Sequence, residues 1–205
     1  QTRATFELRY GALCPLDRAL QITDDIALRC RDELAPYLRA KTGLRVNEDI
    51  EGEPFPGLPA PTPWEILGRS DALIAADFHE WEKRHENYRE SALMTGAYIV
   101  GDVRDVHIGR GATVQPGCVL DVSGGPILIA ERVQVKFSHV QGPAFIGAGT
   151  VLDGARVRAG TSLGPNCKVG GEISASIFQS RVNKGHEGFI GHTWAGRWVN
   201  FGALA

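Results

Sequence analysis

Large apolar residues recur every six positions in the C-terminal half of this chain, at Phe145, Val151, Val157, Leu163 and Val169. Four residues after each of the first four stands a small side chain: Gly149, Ala155, Thr161 and Cys167. The same beat runs earlier through Ile108, Val114 and Leu120, with Ala112 and Cys118. A period of six is neither the 3.6 of a helix nor the alternation of a simple strand. It is the pattern of a parallel β-helix, in which short strands joined by sharp corners wrap a solenoid. About three hexapeptides make one coil, and coils stack at roughly 4.8 Å. Each large apolar residue is expected to point inward, and each small one to let the chain turn close to the core. Val151, Val157, Leu163 and Val169 are therefore expected to form one buried ladder. The fold class is mainly β, a β-helix of hexapeptide repeats preceded by a small helical or α/β N-terminal region.

Composition divides the chain in the same way. Of 25 glycines, 19 lie after residue 100, where corners need them, whereas seven of 11 prolines lie before it. The net charge of −2 gives no global basic field for nucleic acid. Nothing approaches the roughly 18 consecutive apolar residues of a membrane span. Cys118 and Cys167 occupy small inward positions and read as buried thiols, which suits a cytoplasmic setting. Gln1 in place of Met leaves the true start open.

Residues 1–50 read as a mixed strand and helix region. Thr5 to Leu13 alternates weakly, as a strand ending at Gly11, and Ile26, Cys30, Leu34 and Leu38 mark a helical face over 24–41 with Gly43 as its stop. Five prolines in residues 51–63 make a linker. Thr62, Pro63 and Glu65 then read as N-cap, N1 and N3 of a capping box. That helix occupies 64–96, with Leu67, Ile74, Phe78, Trp81, His85 and Tyr88 as its buried stripe to about residue 90. The solenoid fills 97–205, broken by a corner loop at 121–128 and a longer polar excursion at 170–188 before the rhythm resumes at Ile190, Ala195 and Phe201. Interruptions of a solenoid usually line one binding face.

Four histidines lie in or near the solenoid: His107, His139, His186 and His192. His186 and His192 stand six apart on adjacent faces and point away from each other, so no metal is expected in the β-helix. His107 and His139 read as solvated or edge imidazoles. His186 differs, because it sits in a polar loop, Asn183-Lys184-Gly185-His186-Glu187-Gly188, with Arg181 nearby. Neighbouring cations favour a neutral imidazole, the form a general base needs.

Residues 176–203 (SIFQSRVNKGHEGFIGHTWAGRWVNFGA) resemble the histidine-bearing coil of the bifunctional glucosamine-1-phosphate acetyltransferase and N-acetylglucosamine-1-phosphate uridyltransferase family. The likeness is greatest to its bacterial sugar-phosphate nucleotidylyltransferase branch, with S-N-K-x-H-x-G-F-[IL]-G followed by G-x-W-x-N-[LF]-G-A. Val182 replaces the serine of that motif. Residues 2–13, and 63–67 through Asp77-Phe78, resemble the opening and the pre-solenoid helix of the same branch. The resemblance implies a left-handed parallel β-helix, a homotrimer, acetyl-coenzyme A as co-substrate and an amino-sugar 1-phosphate as acceptor. It further implies His186 as general base and Asn200 as a sugar-binding amide. Arg158 would hold the sugar phosphate, a role that suits a planar cation. Phe189 stands where the acetyltransferases carry a tyrosine, and Lys184 takes the place of a lysine absent near Ser174.

Two readings follow. One is a sugar-phosphate N-acetyltransferase-like protein, either a piece of a longer enzyme or a reduced relative. The nucleotidyltransferase core is nearly all missing, no G-x-G-T-R phosphate loop is present, and the donor groove of the family uses coils beyond Ala205. The other is a non-catalytic β-helix that serves assembly or scaffolding, with a vestigial site.

Overall fold

The computed structural model describes residues 5–48 and 62–203, so nearly all of the proline-rich 51–63 segment lies outside the described residues. The described residues form two compact units, 5–9 with 13–48, and 10–12 with 62–203.

In the first unit, Cys14, Leu16, Leu28, Ala35, Leu38 and Val46 gather into a small core. The helix Pro15–Leu20 starts with a reciprocal cap. The Asp17 amide donates to Cys14 Sγ at 3.5 Å, and the Cys14 amide donates to Asp17 Oδ2 at 2.9 Å. The strand expected at Thr5 to Leu13 begins instead as a short 3₁₀ turn, Thr5–Glu7. The helix expected over 24–41 is shorter, Ala35–Thr42, because Ala27–Leu28 pairs in parallel with Arg45–Val46. Gly43 ends it in the left-handed conformation (φ 70°), as a C-cap glycine does.

The second unit is a three-faced parallel β-helix. Its first face stacks Val106–Ile108, Ile127–Ile129, Ala144–Ile146, Thr161–Leu163, Ile177–Phe178 and Trp194–Ala195, all in parallel. The second and third faces merge, because Val151–Val157 and Lys168–Ser174 bend round the corner between them. Gly154 (φ 61°) and Gly171 (φ 64°) make those bends, a backbone conformation that costs other residues free energy.

Register fixes the core. On the first face Ile108, Ile129, Ile146, Leu163, Phe178 and Ala195 align inward. On the second Val114, Val135, Leu152, Val169 and Lys184 align, and on the third Ile99, Leu120, Val140, Val157, Ile173 and Ile190. Residues six apart therefore lie on successive faces of one coil. The vertical ladders join residues one coil apart, as in Ala144 opposite Thr161, a step of 17. The coil is one residue short of three hexapeptides because Leu152 and Val157, inward on successive faces, are only five apart. The single ladder expected of Val151, Val157, Leu163 and Val169 is therefore corrected. Val157, Leu163 and Val169 are inward, but on the third, first and second faces in turn, and the five-residue step shifts the start of the series. Ile146 and Leu152 face inward, and Phe145 and Val151 do not.

Phe145 is nonetheless buried, from outside. The helix Ser70–Glu82 packs over strands Ala144–Ile146 and Thr161–Leu163, and the Trp81 ring meets Phe145 edge-on at 5.6 Å. Asp77 Oδ2 on this helix accepts from the Ala12 amide at 2.9 Å, and Ser162 Oγ donates to the Gly11 carbonyl at 2.6 Å. The single helix expected over 64–96 is broken into Pro63–Leu67, Ser70–Glu82 and Arg89–Ala92. Thr62 is its N-cap with proline at N1, but the hydroxyl donates to Glu65 at 2.8 Å and caps no backbone amide.

His107, read from sequence as a solvated or edge imidazole, is fully buried beneath the same layer. The Trp81 ring lies 6.3 Å away edge-on and the His85 ring 6.4 Å away, and His85 itself stacks on Trp81 at 4.0 Å while remaining exposed. Burial, aided by His85 and Arg89, lowers the His107 pKa from 6.5 to about 4. Neither ring nitrogen has a hydrogen-bond partner among the described residues.

Two predictions follow from this packing. Val157→Asp places an unpaired carboxylate between Val140 and Ile173 and lowers stability by about 3–5 kcal/mol. A thermal melt within a few degrees of the parent overturns the register. Between pH 6.5 and about 4 the unfolded chain protonates an imidazole that the folded chain keeps neutral. Stability from His107 therefore falls as pH drops through that window, by about 3 kcal/mol at most. His107→Leu flattens this part of the stability–pH curve, as measured by urea unfolding.

Candidate functional site

The expected excursion at 170–188 is for the most part regular coil. Strands Lys168–Ser174, Ile177–Phe178 and Asn183–Lys184 all hold the stack, and Ile173, Phe178 and Lys184 keep the inward positions. Only residues 185–188 leave it, between the second face and strand Phe189–Gly191. This short loop carries His186. It borders a cavity of about 430 Å³ lined by Lys184, His186, Phe189, Ile190, Thr193 and Phe201 among others. His186 is exposed there, and the Phe189 ring is 62% exposed beside it.

Lys184 occupies an inward ladder position directly after Val169, where an apolar residue is the rule. Its ammonium is satisfied by three backbone carbonyls: Gly170 at 2.7 Å, Gly188 at 2.8 Å and His186 at 3.1 Å. At 4% exposure the side chain is buried, and its three donors are engaged by the loop and the coil below. Burial depresses the amine pKa; Glu187 opposes that shift and Arg156 adds to it.

Arg158 lies on the third face. There the neighbouring outward residues of successive coils run Arg156, Glu172, Phe189. Arg158 Nε donates to Glu172 at 2.9 Å and Nη1 to Gln141 at 3.3 Å. Arg156 lies 3.7 Å from the other Glu172 oxygen and 3.5 Å from Glu187. A chain of alternating charge thus leads from Arg158 to the residue beside His186. Arg158 does not line the His186 cavity: its coil lies two strand spacings, roughly 10 Å, below that of Phe189, and its guanidinium is held by Glu172 and Gln141. The pairs are half-exposed, and ion pairs of that kind are worth about 1 kcal/mol or less, so an incoming oxyanion competes for the guanidinium.

Asn200 stands on the second face, one residue before Phe201 of the cavity wall. Its Oδ1 accepts from Asn183 Nδ2 at 2.6 Å, which turns the Asn200 amide nitrogen away from Asn183. Asn183, which orients the Asn200 amide, is a residue that the sequence reading passed over. The signal was available in the one-coil spacing between the two asparagines.

The remaining histidines serve the solenoid. His192 sits at a corner with φ 47°, in the place Ala175 holds one coil earlier. His139 pairs alongside Arg156 on the third face. Among the described residues, no group of three or more His, Cys, Asp or Glu side chains is placed to hold a metal ion. No described helix is long and apolar enough to cross a membrane.

The fold and the loop define a class: a hexapeptide-repeat parallel β-helix with a histidine-bearing loop over an open groove. Within it, the chain is similar to proteins named bifunctional protein GlmU. It is 34% identical over 142 residues to that of Jannaschia sp. (strain CCS1), which covers 67% of this chain and 30% of the relative. It is 31% identical over 140 residues to that of Sphingopyxis alaskensis, covering 65% and 30%. To that of Aromatoleum aromaticum it is 28% identical over 194 residues, covering 82% and 40%. The chain thus spans between 30% and 40% of the length of these relatives. No protein-family model matches it.

Proposed function

We propose that this chain is the acyl-transfer part of a sugar-phosphate N-acetyltransferase-like protein, working on an amino-sugar 1-phosphate with acetyl-coenzyme A. The observation that carries the reading is the His186 loop. An exposed imidazole borders a cavity of about 430 Å³, in a chain of which two thirds is similar to a GlmU protein. In this role His186 takes a proton from the sugar amine as its nitrogen attacks the thioester carbonyl. The carbon–sulfur bond then breaks, and coenzyme A leaves as the thiol. Arg158 holds the sugar phosphate, Asn200 a sugar hydroxyl, and the Phe189 ring packs on the sugar face.

Because Arg158 and the His186 groove are separated along one stack, the reading requires a second copy to complete the site. The assembly proposed is a homotrimer with sites between subunits, which we place in the cytoplasm. A second reading, a scaffold with a vestigial site, is favoured by one observation: Arg158 is already paired with Glu172 and Gln141.

Calorimetry with glucosamine 1-phosphate and an acetyl-transfer assay on this protein separate the two. His186→Ala is expected to lower turnover about 10²–10⁴-fold with affinity nearly unchanged. Arg158→Ala is expected to weaken sugar-phosphate binding about tenfold or more. A protein that binds no sugar phosphate and is indifferent to His186→Ala establishes the scaffold. Sedimentation is expected to give a trimer, and a monomer at micromolar concentration removes half of the proposed site.

A further inference from the structure

Every other inward position of the second face, from Val114 to Val169, is filled by an aliphatic side chain. Lys184 breaks that rule where the stack meets the His186 loop. An ammonium has three N–H donors and no acceptor, and here each donor has one carbonyl. Two of those carbonyls, His186 and Gly188, belong to the loop, and the third, Gly170, belongs to the coil below. The backbone was shaped to make room for this arrangement. Gly171 has a left-handed φ of 64°, and a Cβ there would lie 2.8 Å from the Gly188 oxygen, 2.9 Å from the His186 oxygen and 2.9 Å from Lys184 Nζ. A lysine, its three carbonyls and an obligatory glycine thus form one unit under the loop.

We propose that Lys184 is a positioning residue. Its buried ammonium clamps the carbonyls of His186 and Gly188 to the rigid coil at Gly170, and so fixes where the His186 imidazole stands over the groove. The inference rests on the proposed function for its catalytic consequence but not for the clamp itself. A cation desolvated among carbonyl dipoles gains more per bond than one in water, because the local dielectric is low. Besides the ammonium, the four exposed residues of the loop are tied to the stack by the Glu172 amide, which donates to the Gly188 carbonyl at 3.0 Å, and by the exposed Arg156–Glu187 pair, and neither of these holds the His186 carbonyl. The same arrangement argues against direct phosphate binding by Lys184, whose donors are all engaged.

The test compares Lys184→Met and Gly171→Ala with the parent. Methionine restores an apolar ladder member, so the solenoid is expected to stay folded with a cooperative melt. Backbone ¹⁵N order parameters at residues 185–188 are expected to fall from values near 0.85 to below about 0.6, while those of strand Lys168–Ser174 stay rigid. Gly171→Ala is expected to loosen the same residues by displacing the clamp. In the acetyl-transfer assay Lys184→Met lowers kcat about 10- to 100-fold with KM for the sugar phosphate nearly unchanged. Loop order unchanged in both variants overturns the clamp, whatever the activity. A raised KM at constant kcat overturns it in favour of direct substrate contact. A parent chain without transferase activity removes the proposed function, and the order parameters still decide the clamp.

Discussion

Stacking of inward side chains, one coil upon the next, is the interaction on which the rest of this molecule depends. No single coil has an interior. Three short strands enclose one layer of three apolar residues, and only the layers above and below remove that layer from water. Ile129, Ile146 and Leu163 are buried because each lies between two others of its kind, as are Val140, Val157 and Ile173. Parallel pairing follows from the winding, and the corners follow from the pairing. Those corners need left-handed backbone, which glycine supplies at some and Arg132, Asn166, Arg181 and Trp198 supply along one edge. Arg181 lies over the Trp198 ring at 5.2 Å, so that edge has its own stacking.

The site sits where this regularity is bent to a second purpose. The loop at 185–188 emerges from the corner between the second and third faces, and the ladder beneath it changes from aliphatic to cationic at the same level. A buried charge is tolerated only when its donors are satisfied, and here the loop backbone satisfies two of the three. Order in the loop and tolerance of the charge are therefore one arrangement. The acid–base chain from Arg158 through Glu172 and Arg156 to Glu187 lies outside the core and costs little to rearrange, which suits a surface that exchanges an internal partner for a ligand.

The outer layer shows a different use of the same sheet. A β-helix normally leaves its outward side chains to solvent, yet on the first face His107, Leu128, Phe145, Ser162 and Ile177 are all buried. The helix Ser70–Glu82 and residues 10–12 contribute to the cover. This face has two apolar sides, as a sheet between layers does. It accounts for a histidine with no polar partner among the described residues and for the continuous apolar runs Ile127–Ile129 and Ala144–Ile146.

The sequence by itself determined the solenoid, because a period of six with small residues at fixed offset admits few other structures. It also marked the His186 loop, since a run of lysine, glycine, histidine and glutamate is out of place in an apolar repeat. It did not determine which residue of each hexapeptide faces inward. Phe145 and Ile146 are both large and apolar, and a five-residue step between Leu152 and Val157 moves the frame by one. Only pairing between coils decides that, because register is a property of two strands. The place of Lys184 was equally hidden, since a lysine in a polar loop reads as a substrate contact until its position above Val169 is known. Tertiary structure also decided that Arg158 and His186 stand on different coils. Sequence distance measures turns of the solenoid, while reach across the surface is set by the strand spacing between them.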